Sequence, residues 1–96
     1  MPSYIALINF TDKGIENFKD SPDRSDAAAA QLEKMGGSFK ELYWTLGAYD
    51  IVGVIEAPDD ETMTAFALSL SSLGNVRTQT MRAFDADEVR TIIGKS

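Results

Sequence analysis

Two stretches of the chain are apolar almost without interruption: Tyr4-Ile5-Ala6-Leu7-Ile8-Asn9-Phe10 and Ile51-Val52-Gly53-Val54-Ile55. A strand with one face in water alternates apolar and polar residues, so these runs predict strands covered on both faces. The pattern along the whole chain reads strand, helix, strand, strand, helix, strand and a short terminal helix, with the strands over residues 4–10, 38–46, 49–57 and 76–84. Gly36-Gly37 and Gly74-Asn75 stop the two main helices, because glycine takes the left-handed cap conformation at little cost. Ser21-Pro22 breaks the first of them. A short segment from Asp12 to about Phe18 is expected before the break, and a longer one from Pro22 to about Met35 after it.

The second helix starts at Asp59 and repeats Met63, Phe66, Ala67, Leu70 and Leu73 along one stripe. Gly47-Ala48 separates the second and third strands and suits a tight hairpin with a positive φ at the glycine. Asp85 and Glu88 form a capping box for a terminal helix presenting Val89, Ile92 and Ile93.

Two strand-helix-strand units joined by right-handed crossovers give an α+β, ferredoxin-like βαββαβ fold. Its four-stranded antiparallel sheet has the order 4-1-3-2, with both main helices on one face and an extra C-terminal helix. The apolar runs are then the two central strands, and the edges are more polar: Lys40 and Glu41 on one side, Arg77, Gln79 and Arg82 on the other. One sheet face has no helices to cover it. A contiguous apolar face of that size needs a partner, and a second copy packed face to face makes a homodimer with the form of a dimeric α+β barrel. The terminal helix folding back over the face is the alternative.

Composition narrows the chemistry. At 96 residues the chain reads as one domain, near the small end of what buries a self-sufficient core. Fifteen acidic against nine basic residues, with no basic run, exclude nucleic acid and an anionic membrane surface as main partners. Cysteine and histidine are absent, which removes thiolate chemistry, imidazole acid-base catalysis and ordinary zinc sites. No signal peptide or membrane span is visible, so a cytoplasmic location is expected. Asp59-Asp60-Glu61 is read as helix capping rather than a metal site, and no metal or other cofactor is expected.

Gly47-Ala48-Tyr49-Asp50 follows Tyr43-Trp44-Thr45-Leu46 and runs into an apolar strand. With Phe10-Thr11-Asp12-Lys13-Gly14, Lys19-Asp20-Ser21-Pro22-Asp23-Arg24 and Leu73-Gly74-Asn75-Val76-Arg77-Thr78 leading to Arg82-Ala83-Phe84, it makes an ordered set of blocks. In these the chain resembles the GYD domain family over nearly its whole length. The resemblance implies a dimeric α+β barrel and carries a fold rather than a reaction. Residues 46–80 also resemble the ligand-sensing domain of leucine-responsive transcription regulators, in which small metabolites bind near subunit interfaces beside the equivalent hairpin. A DNA-binding helical region ahead of Met1 is not expected, so the resemblance does not imply transcriptional control.

The candidate ligand-binding residues are Tyr43, Trp44, Tyr49, Asp50, Asn9 and Arg77. Asp50 is read two ways: as an acceptor for turn amides or an arginine, or as a ligand contact in a cleft lined by Tyr43, Trp44 and Tyr49. Asn9, the polar residue inside the first apolar strand, either caps the following turn or meets a ligand. Arg77 and Arg82 are five apart on a strand and point to opposite faces. These residues support a dimeric module that binds or senses a small metabolite. The alternatives are a cofactor-independent monooxygenase or isomerase using Asn9, Trp44, a tyrosine and Arg77, with Asp50, Glu56 or a tyrosine as base, or a purely structural dimer. The enzyme requires a pocket between sheet and helices into which Asn9 or Asp50 points. No catalytic residue is assigned.

Overall fold

The computed structural model describes residues 1–96. The first strand, β1, spans Ser3–Phe10 and leads into a five-residue helix, α1, Asp12–Glu16, capped by the Thr11 hydroxyl accepting from the Gly14 amide at 3.1 Å. A 3-10 turn over Phe18–Asp20 fills the break, and α2 begins one residue before the proline, Ser21–Lys34. The expected interruption is therefore present, with Pro22 in the first turn, where its missing amide costs nothing.

The remaining elements are β2 (Ser38–Trp44), β3 (Ile51–Glu56), α3 (Asp60–Ser72), β4 (Val76–Ala83) and α4 (Ala86–Ile93). Asp59 caps α3 by accepting from the Thr62 amide at 2.7 Å, and Asp85 and Glu88 form the capping box of α4. Gly36 and Gly74 adopt φ of 90° and 84° directly behind α2 and α3, as the helix stops require. No helix is long and apolar enough to cross a membrane.

The strands form one antiparallel sheet in the order β2-β3-β1-β4, which is the expected 4-1-3-2 read from the other edge. The central strands are the apolar ones. Their residues nonetheless divide by face. Tyr4, Ala6 and Ile8 pair with Ile55, Gly53 and Ile51, and these are buried with Ala28, Leu32, Met63 and Phe66 from α2 and α3. Ile5 and Leu7 pair with Val54 and Val52 on the other face and are only half-buried.

The hairpin is longer than expected. Its strands end at Trp44 and resume at Ile51, so six residues rather than two connect them. Gly47 has the expected positive φ, 107°. Asp50 sits where the strand departs from regular pairing: its amide donates to the Ile8 carbonyl at 2.9 Å, out of the β1–β3 register, while its carbonyl accepts from the Thr45 amide at 2.9 Å and continues the β2–β3 register.

The terminal helix does not fold back to seal the sheet. None of its residues is buried, and it packs extensively against no other element. The Cα radius of gyration is 14.2 Å, above the ~12.5 Å of a compact chain of this length, as a projecting arm requires.

Candidate functional site

The open face of the sheet is built in rows by the strand register. Tyr43, Val52, Leu7 and Gln79 lie side by side across all four strands, and Glu41, Val54, Ile5 and Met81 form the next row. Beyond the first row, at the hairpin end, Asn9 pairs with Arg77. The Tyr49 side chain reaches from the hairpin past β1, and its hydroxyl donates to Gln79 Oε1 at 3.0 Å. This face is therefore apolar in the middle and polar at the hairpin end.

Four of the six candidate residues, Asn9, Tyr43, Tyr49 and Arg77, have positions on this face, with Tyr43 on the far edge strand from Arg77 and Arg77 also bordering the groove between β4 and α3. Trp44 does not: it pairs with Ile51 on the helix side, and its Nε1 donates to Ser21 Oγ at 3.0 Å. Tyr43 and Trp44 are adjacent on one strand, so the pleat sends them to opposite faces, and the expected cleft lined by both does not form. Asp50 is engaged with backbone, its Oδ2 accepting from the Phe10 amide at 2.8 Å. This is the structural reading of that residue. Arg77 and Arg82 alternate in the register of β4, yet both line one groove between β4 and α3, because Arg77 sits on an edge strand that the groove borders.

The sequence reading missed two features. Gln79, the partner of Tyr49, lies two residues from Arg77 on the same face, a relation that the strand period makes legible. On the helix side Tyr4 is buried, and its hydroxyl donates to Asp60 Oδ1, with Arg82 Nε 3.9 Å from the same oxygen. The Arg82 guanidinium also lies over the Tyr4 ring, 5.6 Å from its centroid, and over Phe84 at 4.5 Å. Burial, the hydrogen bond to Asp60 and its negative charge push the Tyr4 phenol up to about 12, against the opposing pull of Arg82. A hydroxyl inside an apolar strand must find a partner, and that was the available signal.

Asp59 lies below the ordinary carboxylate range because it accepts from the Thr62 amide and side chain. It serves the helix cap, and no group of three acidic residues gathers as a cation site. Between sheet and helices lies a cavity of about 150 Å³ floored by Ile8, Ile51 and Val76. Neither Asn9 nor Asp50 lines it.

A ferredoxin-like α+β domain with one helix-covered face and one uncovered, polar-ended face is the class these features define. Within that class, the GYD domain family model matches residues 4–93, and the chain belongs to that family. A protein of Thermus thermophilus named glutamine synthetase and cystathionine beta-lyase binding protein is 38% identical over 84 residues, 86% of this chain and 88% of that one. A solved structure from the same organism superposes with a TM-score of 0.57 at 25% identity, over 90% of this chain and 96% of that chain. A feast or famine regulatory protein of M. tuberculosis, solved with L-methionine, shares the fold with a TM-score of 0.58 at 19% identity. This chain spans about half of its length, covering 52% of it.

Proposed function

We propose that this protein is a homodimeric binding module whose two sheets pack face to face, with a small metabolite held where the polar ends of those faces meet. The observation that carries this reading is the gathering of Asn9, Arg77, Tyr49 and Gln79 at one end of an otherwise apolar, uncovered face. Closing that face removes Ile5, Leu7, Val52 and Val54 from water and encloses one cation, one amide pair and one phenol. The α4 arm, with Val89, Ile92 and Ile93 exposed, has its apolar stripe free to lie on the partner subunit. A cytoplasmic location accords with this role.

A second reading, that the dimer binds other proteins, is favoured by the name of the Thermus relative. The two readings are compatible if the metabolite tunes the docking.

The test is a crystal structure of the protein purified without added ligand. Density bridging two subunits beside Asn9, Arg77 and Tyr49 supports the metabolite site. A dry interface in which Tyr49 bonds only Gln79 refutes that site. Surface plasmon resonance against purified glutamine synthetase and cystathionine β-lyase then decides whether a dry dimer is a protein-binding module or purely structural.

A further inference from the structure

The cavity of about 150 Å³ lies on the side of the sheet away from the open face, between α2, α3 and the strands. The four consecutive alanines from Ala27 to Ala30 would suit close helix packing. Instead Ala27 and Ala28 line this space opposite Leu70, and their small side chains leave it unfilled. Protein interiors are packed to the density of organic crystals, whereas this recess, open to solvent beside Ala27, Gln31 and Leu73, leaves apolar side chains without packing partners. An apolar cavity of comparable volume takes up a benzene-sized molecule.

The polar lining of the cavity comes from Ser21, Arg24, Ser25, Gln31 and Asn75, with no carboxylate among them. The Arg24 guanidinium is held by carbonyls, Nη1 donating to Asn17 at 2.9 Å and Nη2 to Gly14 at 3.4 Å. The chain has fifteen acidic residues. None of them pairs with Arg24: the ion pairs are Lys40 with Glu56, Arg82 with Asp60 and Arg90 with Asp87. The side chains of Ser25 and Asn75 supply further donors that no group of the protein takes up. A fixed cation without a carboxylate, beside free donors and above an apolar chamber, matches a ligand with an anionic head and a compact hydrocarbon body.

We propose that this cavity is a binding site for a small monocarboxylic acid with an aromatic or branched aliphatic body, its carboxylate at Arg24 and its hydrocarbon over Ile8, Ile51 and Ala28. The site is separate from the shared sheet face and does not depend on dimerisation.

The test is a titration of the isotope-labelled protein with benzoate, and with benzyl alcohol as the neutral probe, followed by nuclear magnetic resonance. Benzoate is expected to give saturable shifts at Ala28, Leu70 and the Arg24 side chain. Arg24→Gln should weaken benzoate about tenfold, the loss of one charge-assisted contact, while leaving benzyl alcohol within about twofold. Ala28→Leu should abolish both by filling the chamber. Ala27→Leu, which narrows the exposed mouth, serves the same purpose should Ala28→Leu perturb the fold. Leu7→Asp, on the other face, should leave benzoate binding unchanged even if it abolishes the dimer, so the two proposals fail separately. The absence of saturable shifts with benzoate up to about 10 mM, or benzoate affinity unaltered by Arg24→Gln, would overturn the assignment.

Discussion

The Asp50 carboxylate accepts from the Phe10 amide at 2.8 Å, and so joins the start of β3 to the last residue of β1. Phe10 is where the sheet hands over to α1, and an amide there without a partner would be left in a half-buried position. The aspartate of the Gly47-Ala48-Tyr49-Asp50 block is thus a clasp, which explains an acidic residue at the entrance to an apolar strand.

Removing the clasp has a predictable cost. A hydrogen bond to a charged group contributes roughly 1.5–3 kcal/mol, so Asp50→Ala should destabilise the fold by about that amount. Asp50→Asn keeps an oxygen acceptor and should lose about half as much or less. Urea denaturation of both variants measures this. Equal stability of Asp50→Ala and the natural protein would return Asp50 to the list of ligand contacts.

Two glycines separate steric from conformational demand. A Cβ on Gly14 would sit 1.9 Å from the Asn75 carbonyl oxygen, a backbone atom that cannot swing away, whereas a Cβ on Gly47 meets nothing within 4 Å. Gly14→Ala is therefore expected to cost more than about 3 kcal/mol by forcing α1 away from the α3–β4 junction. Gly47→Ala should cost only about 1 kcal/mol, the penalty of a left-handed conformation at φ 107°. Thermal melts of the pair give the comparison, and similar losses for both would contradict it.

Much of this fold is legible in the chain because its punctuation is local. Ser21-Pro22, Gly36 and Gly74, and the Asp85 and Glu88 box each act within a turn of their own position, and all are found where the residues imply. The length of the hairpin was not legible, because regular pairing is broken at Asp50, which reaches the carbonyl of Ile8 and the amide of Phe10, contacts about forty positions apart in sequence. The candidate site was half legible for a similar reason. Residue type singled out Asn9, Tyr49 and Arg77, and the pleat alone parts Trp44 from Tyr43, but only the folded structure places Gln79 beside Tyr49. The cavity was hidden altogether, since Ala27 and Ala28 read the same whether they close a helix contact or leave a gap.

Alkaline pH should weaken the fold through Tyr4. Its phenol ionises near 10 in the unfolded chain and at about 12 when folded, because burial and Asp60 disfavour the phenolate. With the folded value raised, the stabilisation is complete below about pH 10 and is lost as pH rises toward 12, where the unfolded chain releases the proton first. Tyr4→Phe should flatten this fall while lowering stability at neutral pH through loss of the Asp60 hydrogen bond. Denaturant midpoints from pH 8 to pH 11.5, for both proteins, test the sign; a parallel decline would place the alkaline sensitivity elsewhere.

The assembly can be decided at Leu7. It occupies the central row of the open face between Val52 and Gln79, and a side chain there points away from the helices and the core. Leu7→Asp should therefore leave the subunit folded while setting an unpaired charge from each subunit in the middle of the proposed interface. Sedimentation equilibrium at micromolar concentration should give about twice the 10.5 kDa chain mass for the natural protein and the single mass for Leu7→Asp. Ala65→Glu, exposed on α3, changes charge by the same amount on the opposite side and should remain dimeric. Ile92→Ser should weaken association about tenfold if the α4 arm lies on the partner, because its half-exposed side chain then becomes a buried contact. A natural protein that sediments as a monomer throughout would remove the face-to-face dimer, and with it the enclosed polar cluster of Asn9, Arg77 and Tyr49, while leaving the Arg24 cavity to be judged by its own titration.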